Sequence, residues 1–259
     1  YTPGMETANT LQLRPGEPQI ERGRPIKALD NVGNVMSIPT KILLLSWRMD
    51  NHHITAETEA ELQEYLATNN LKNVKVRLNQ YAPGGEWSRL KRNKAVGWGW
   101  RWTVGAFNCL YYTIAFDRLF AGSAIWGIGD HYNPFTDTIS LYSDHPAVGL
   151  HEGGPAKDWA HRKWKGSYAM LGVLPLVSLY HEAKATGDVV GYLRTKKPAE
   201  DEKAAYKVLY PAYGTYVGGE FGQWMGPLYY PVYFGGVVVG HVAGRIKAAN
   251  VDDLPPPRE

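Results

Sequence analysis

The sequence predicts an α+β fold, with a mixed sheet carrying a βαβ unit and a set of apolar helices long enough to meet a membrane. Three observations predict it. Two short apolar runs, KILLLSW (41–47) and VKVRLNQY (74–81), flank the helical pattern TAETEAELQEYLATNN. A third strand pattern, TDTISLYS (136–143), comes later. Long stretches of uncharged residues fill much of the rest.

The elements follow in order. Residues 1–38 carry four prolines and no sustained period, and read as an extended N-terminal arm. KILLLSW reads as a buried strand. Thr55 caps the next helix, acidic residues crowd its first turns, and Asn69 and Asn70 suit its end. VKVRLNQY alternates apolar and polar residues, as a strand does. Strand, helix and strand with short joints form a right-handed crossover, so the two strands are expected to be parallel. Residues 86–126 read as helical, and 136–143 as another strand. The segment 166–194 is apolar, with 15 uncharged residues at 166–180, as at 102–116; both suit a buried hairpin or a re-entrant helix. KPAEDEKAAYKVLY reads as a short exposed helix. One domain is expected over 39–250, with a tail at 251–259.

Composition excludes several classes. Among 259 residues, 28 are basic and 25 acidic, a net charge of +3, with no basic stripe. That is too balanced for a nucleic-acid footprint. The single Cys109 excludes an internal disulfide framework and a multi-cysteine zinc site. The chain opens on Tyr1, so a processed leader is expected, and the first residues lack the apolar core of a secretory signal. There are 9 Trp and 17 Tyr, clustered beside uncharged stretches, as at a membrane interface or in an aromatic-rich soluble core.

The chemistry-bearing stretch is SDHPAVGLHEGGPAKDW, residues 143–159. Ser143 or Asp144 can cap a helix, and Pro146 suits its first turn. His151 and Glu152 then stand as in H-E-x-x-H, where two histidines one turn apart hold zinc and the glutamate polarises water. Pro155 occupies the second histidine's place and brings no donor atom. A proline in mid-helix costs about 3 kcal/mol against alanine, so a kink or break is expected at Gly153-Gly154-Pro155. Replacement ligands are poorly spaced. On a helix His161 lies about 15 Å from His151 and His145 about 9 Å. His181 adjoins Glu182 but points about 100° away. His131, in a turn, is the candidate that a loop could bring in. A buried polar pair satisfied locally is the plainer reading of His151 and Glu152.

On these residues the segment 136–194 resembles the glutamate-zincins, such as the thermolysin-like peptidases, in degenerate form. The strand TISLYS directly before the helix matches the edge strand beside a zincin cleft, and Glu182 in LYHEAKATGD stands where the third ligand is expected on the next long helix. Asp188 is six residues beyond Glu182 rather than four, a loose match to the carboxylate that orients a zinc ligand in that family. The resemblance implies a zincin-like helical part. The remnant positions are Glu152 for catalysis and His151, Pro155 and Glu182 for metal. It also implies that His151 and Glu182 face each other from neighbouring helices.

WMGPLYYPVYFGGVVVGHVAG (224–244) has 21 residues with no acidic or basic side chain apart from His241. Pro227 and Pro231 weaken its first turns, so the regular helix is expected at 232–247. Gly236, Gly240 and Gly244 fall four apart and form a groove for a close helical neighbour. Trp224 and Tyr230 at one end, with Arg245 and Lys247 at the other, resemble interface anchors. These glycines and aromatics are the expected interaction residues. The segment is as readily a buried core helix as a membrane-associated one.

The expected function is therefore that of a catalytically inactive, metallopeptidase-like accessory subunit of a membrane-bound assembly, mitochondrial respiratory or ATP synthase in kind. It would hold no cofactor, contact protein subunits and lipid, bind no nucleic acid, and sit at the mitochondrial inner membrane. A bacterial membrane-associated protein is the alternative location. The alternative functions are an active zinc peptidase with a non-standard ligand set and a small-molecule or lipid-binding module.

Overall fold

The computed structural model describes residues 1–5, 10–115, 129–172 and 174–252. It is a mixed α/β structure that divides into two compact units. One, the sheet unit, comprises Thr2–Lys41 and Trp47–Leu171; the other, the C-terminal unit, comprises Tyr1, Ile42–Ser46 and Gly172–Glu259.

The sheet unit is built on four strands: β1 (Ile20–Arg22), β2 (Lys75–Leu78), β3 (His131–Asn133) and β4 (Thr138–Leu141). Their spatial order is β1-β2-β4-β3; the first three are parallel and β3 closes antiparallel on β4. The expected strands at 74–81 and 136–143 are present. The one at 41–47 is not: Ile38–Leu44 forms helix α2. A short apolar run does not distinguish a strand from a helix by period alone. Here Pro39 sits in the first turn, Lys41 Nζ donates to Asn34 O at 2.8 Å, and Leu45 turns left-handed (φ 51°) to end the helix. Leu43 O accepts from His241 Nε2 at 2.9 Å, so the backbone of this run is engaged by a helix rather than by a sheet.

The place beside β2 is taken by β1, which lies in the stretch read as an extended arm. That stretch also forms helix α1 (Lys27–Met36). The arm is ordered by charge. β2 is buried along its whole length despite carrying Lys75 and Arg77. Lys75 Nζ pairs with Glu21 at 2.9 Å, Arg77 Nε with Glu86 at 3.0 Å, and Glu17 reaches both Arg89 and Arg92 at 3.5 Å. Buried cations require such partners.

Helix α3 (Ala56–Thr68) begins at the expected Thr55, whose hydroxyl accepts from Thr58 N at 3.4 Å. Helix α4 (Pro83–Arg92) and a helical run made of α5 (Trp98–Trp100), a π-turn (Arg101–Gly105) and α6 (Ala106–Ala115) occupy most of the stretch read as helical. Residues 116–126 of that reading lie outside the described residues. The run 102–115 is not buried throughout: Phe107, Leu110, Tyr111 and Ile114 are exposed.

The His-Glu helix is α7 (Pro146–Ala160), and it runs unbroken through Pro155. The expected break is absent, and the face carrying Gly149 and Gly153 packs closely against its neighbours. A Cβ on Gly153 would stand 2.5 Å from Tyr65 Cε1, so the bare glycine lets α7 close on α3. The short helix α8 (Lys165–Leu171) ends the sheet unit.

The C-terminal unit holds α9 (Val177–Lys196), α10 (Ala199–Gly222) and α11 (Tyr229–Ala249). The segment 166–180 is no buried hairpin, since Leu171, Leu174 and Leu176 are exposed; residue 173 lies outside the described residues. The expected short exposed helix is 24 residues long and buries Glu202, Tyr206 and Leu209 along one side. Glu202 is held by Arg194 at 2.7 Å. α11 starts earlier than expected because Pro231 falls in its first turn, where backbone amides have no intrahelical acceptor to lose. Among the described residues no helix is long and apolar enough to cross a membrane. The tail residues 253–259 lie outside the described residues.

Candidate functional site

α7 carries His151 and Glu152 half-buried on successive positions, and Pro155 one turn on. The helix keeps its geometry there, so a side chain at position 155 stands where a second zinc ligand would, and proline offers no donor. Glu182 and Asp188 are on α9, in the C-terminal unit, while His151, Glu152 and Pro155 are in the sheet unit. His151 and Glu182, expected on neighbouring helices, thus belong to different compact units. The strand before α7 also differs from the zincin arrangement, since β4 is an inner strand and β3 has the edge. Among the described residues, no three His, Cys, Asp or Glu side chains gather in a way that could hold a metal ion.

The other histidines have separate surroundings. His131 is on β3, with Nδ1 3.0 Å from Gly129 O. His161 ends α7. His181 packs edge-on against Tyr180, with ring centroids 5.7 Å apart. His145 precedes α7 and is 8% exposed. Burial, reinforced by the Arg48 charge and opposed by Asp144, pushes its pKa down to about 4. Its Nδ1 has no hydrogen-bond partner among the described residues.

A polar cluster that sequence reasoning missed lies where the chain leaves the parallel strands, the usual place for sites in such sheets. Three of its residues adopt left-handed backbone: Asp50 (φ 40°), His52 (φ 59°) and Asn79 (φ 46°). His52 Nδ1 lies 3.0 Å from Asn79 Oδ1, and Asn79 Nδ2 donates to Asp30 Oδ1 at 3.0 Å and His52 O at 2.8 Å. Ser143 Oγ accepts from Asp50 N at 2.8 Å, and Asp130 Oδ1 accepts from Ser143 N at 3.0 Å. Asp144 Oδ1 accepts from both Thr55 and Thr58 hydroxyls at 2.7 Å. Burial raises the Asp130 pKa, and burial also lowers that of His52. Backbone strain at buried polar residues often marks a functional site. Here Ser143 is fully buried and its oxygen is engaged, so the cluster offers no accessible nucleophile. It acts as a clasp that ties the 48–55 loop to the ends of β2 and β4. The available sequence signal was the density of Asp, Asn, His and Ser at 50–53, 79 and 143–145.

The glycine stripe does meet a close helical neighbour, and that neighbour is in the same chain. A Cβ on Gly236 would stand 2.5 Å from Gly214 O, one on Gly240 2.5 Å from Tyr210 O, and one on Gly244 2.4 Å from Tyr206 O. α10 answers with its own glycines, since a Cβ on Gly214 would be 2.3 Å from Gly236 O and one on Gly218 2.6 Å from Tyr233 O. The expected groove for a partner is therefore filled by α10. Trp224 and Tyr230 are exposed and remain accessible.

The opposite side of α11 is apolar. Tyr230, Phe234, Val238, Val242 and Ile246 recur every four residues and are all exposed. Positions two apart on a helix point about 200° apart, so this ridge faces away from Gly236, Gly240 and Gly244. It runs about 24 Å. Comparison with family models, with curated proteins and with solved structures finds no match to the chain.

Proposed function

We propose that this protein is a non-catalytic structural subunit of a membrane-bound assembly, attached through the outer ridge of α11. The single observation that carries the reading is the glycine-closed hairpin whose outer face is a continuous exposed apolar ridge. A single row of side chains spaced every four residues fits the groove of another helix, and helix-on-helix packing of that kind is the commonest in proteins. The occupant is therefore an apolar helix of a partner subunit. Arg245 and Lys247 at one end and Trp224 at the other suit the water-facing borders of such a contact.

Peptidase chemistry is not part of this reading, because the ligand position on α7 is proline and the helix keeps that position in register. The likeness to zincins rests on the sequence, on the His151-Glu152 pair, the TISLYS strand before it and Glu182, and location at a mitochondrial inner membrane is the matching expectation for the assembly.

The test is the double variant Phe234→Ser/Val238→Ser in the source cells. Both side chains are exposed, so thermal melting of the purified variant should match the parent. In detergent extracts the variant should migrate alone while the parent migrates with a larger complex. Co-migration of the variant with the same complex would overturn the proposal.

A further inference from the structure

The sheet unit contains a cleft of about 790 Å³ lined by Lys94, Trp100, Arg162, Lys163, Lys165 and Ser167, among others, and no acidic residue is among its lining residues. The volume is that of a small-ligand site. Two features show that its charge is built in. Lys165 lies on the wall yet is only 3% exposed, and among the described residues no carboxylate forms an ion pair with it. The charge that acts on it is that of buried Asp137, farther away, and burial still lowers its pKa. Arg162 is fixed: it donates to Asp158 Oδ1 at 2.7 Å and to Tyr168 Oη at 3.0 Å, with its guanidinium 4.0 Å above the Tyr168 ring. Asp158 is thereby committed to Arg162 and Tyr168. Gly166 lets Trp100 close on the wall, since a Cβ there would be 2.5 Å from Trp100 Cβ. Trp100 Nε1 donates to Ser167 Oγ at 3.1 Å.

Trp100 also belongs to the helical run 98–115. Residues 102–115 of that run carry no charged side chain. Cys109, Tyr112 and Ala115 face inward, while Phe107, Leu110, Tyr111 and Ile114 are exposed on the other side. Trp98 at its start and Trp164 across the cleft are 73% and 72% exposed. An amphipathic helix with outward apolar and aromatic side chains, beside a cationic recess, matches an acyl and headgroup boundary.

We infer that this cleft binds the phosphate of an anionic lipid headgroup, with the 98–115 ridge lying in the adjoining interface. This deepens the membrane-bound reading and rests on it. Free phosphate and phosphorylated metabolites share the anionic chemistry, but the exposed ridge favours lipid. The amines of Lys94, Lys163 and Lys165 meet the phosphate, and Trp164 sits at headgroup level.

The experiment is co-sedimentation of the full chain with phosphatidylcholine vesicles, with and without phosphatidylglycerol, read together with tryptophan emission. The parent should bind only the anionic vesicles, with a blue shift. Lys94→Gln/Lys163→Gln removes two exposed cations and should weaken that binding about 30-fold. Its melting temperature should not change. Equal binding by this variant and the parent would overturn the inference. So would a parent that shows saturable binding of inorganic phosphate and none of vesicles, which would assign the cleft to a soluble ligand. The α11 variant Phe234→Ser/Val238→Ser should keep vesicle binding. If it loses the vesicles while the cleft variant keeps them, the cleft assignment falls and the assembly reading stands.

Discussion

At the scale of single residues, identity and environment pull apart. His151 and Glu152 were legible as a motif because their spacing is local. Whether a ligand set exists depends on residues far along the chain, and the chain places Glu182 in a different compact unit. His145 shows the reverse case: nothing in SDHPAV marks it as a titration centre, yet burial beside Arg48 takes its pKa to about 4. From an unfolded value near 6.5, this depressed pKa means that the neutral form is favoured by folding. Its contribution is fully present above about pH 6.5, declines as pH falls, and is lost by about pH 4, a change of about 3 kcal/mol. Asp130 and Asp137, raised by burial, act in the opposite direction over part of that range. The clean reading is therefore a difference. Chemical denaturation of the parent and of His145→Gln between pH 7 and 4 should show the parent losing more stability. Parallel curves would mean that His145 titrates normally.

At the scale of elements, sequence reasoning succeeded where a local signal was strong and failed where a long-range partner decided. α3 carried its own cap in Thr55, and β2 and β4 had strand-like patterns. KILLLSW had no such mark, and the place beside β2 that it was expected to fill is taken by IER, three residues too polar to read as a strand. Glu21 of that strand is held by Lys75 and Arg77 and Arg22 by Glu59, and pairing across more than 30 residues leaves no periodic trace. The glycine stripe was read correctly as needing a neighbour, but the matching Gly214, Gly218 and Gly222 on α10 were obscured by the Pro211 between them and the charged start of the helix. The hairpin permits a definite prediction. In Gly240→Leu the new side chain would meet Tyr210 O at 2.5 Å and Pro211 Cα at 2.7 Å, which are backbone atoms that cannot rotate aside. Overpacking typically costs about 1–3 kcal/mol, and the upper end is expected here. A melting temperature equal to the parent's would show that the two helices are not held this closely in solution.

At the scale of the whole molecule, the two compact units give that substitution a spatial consequence. Each unit has its own source of stability: the sheet unit has β2 and β4, buried along their length, with the ion pairs of Lys75, Arg77 and Glu86. The C-terminal unit has the backbone-to-backbone closure of α10 on α11 and the Arg194–Glu202 pair. Amide hydrogen exchange reports opening within such units separately, because each cooperative unit opens with its own free energy. Gly240→Leu loosens only the helix closure, so exchange should quicken across 199–249 while amides of 75–78 and 138–141 keep the parent's protection. The reciprocal change, Arg77→Met, strands Glu86 as a buried charge, an effect on the order of 3–5 kcal/mol in comparable pairs. It should speed exchange in β2 and β4 and spare α10 and α11. If either variant accelerated exchange evenly over both sets of amides, the molecule would unfold as one cooperative body. A partner helix docked on α11 would then stabilise the sheet as much as the hairpin; with independent units, it protects the hairpin alone.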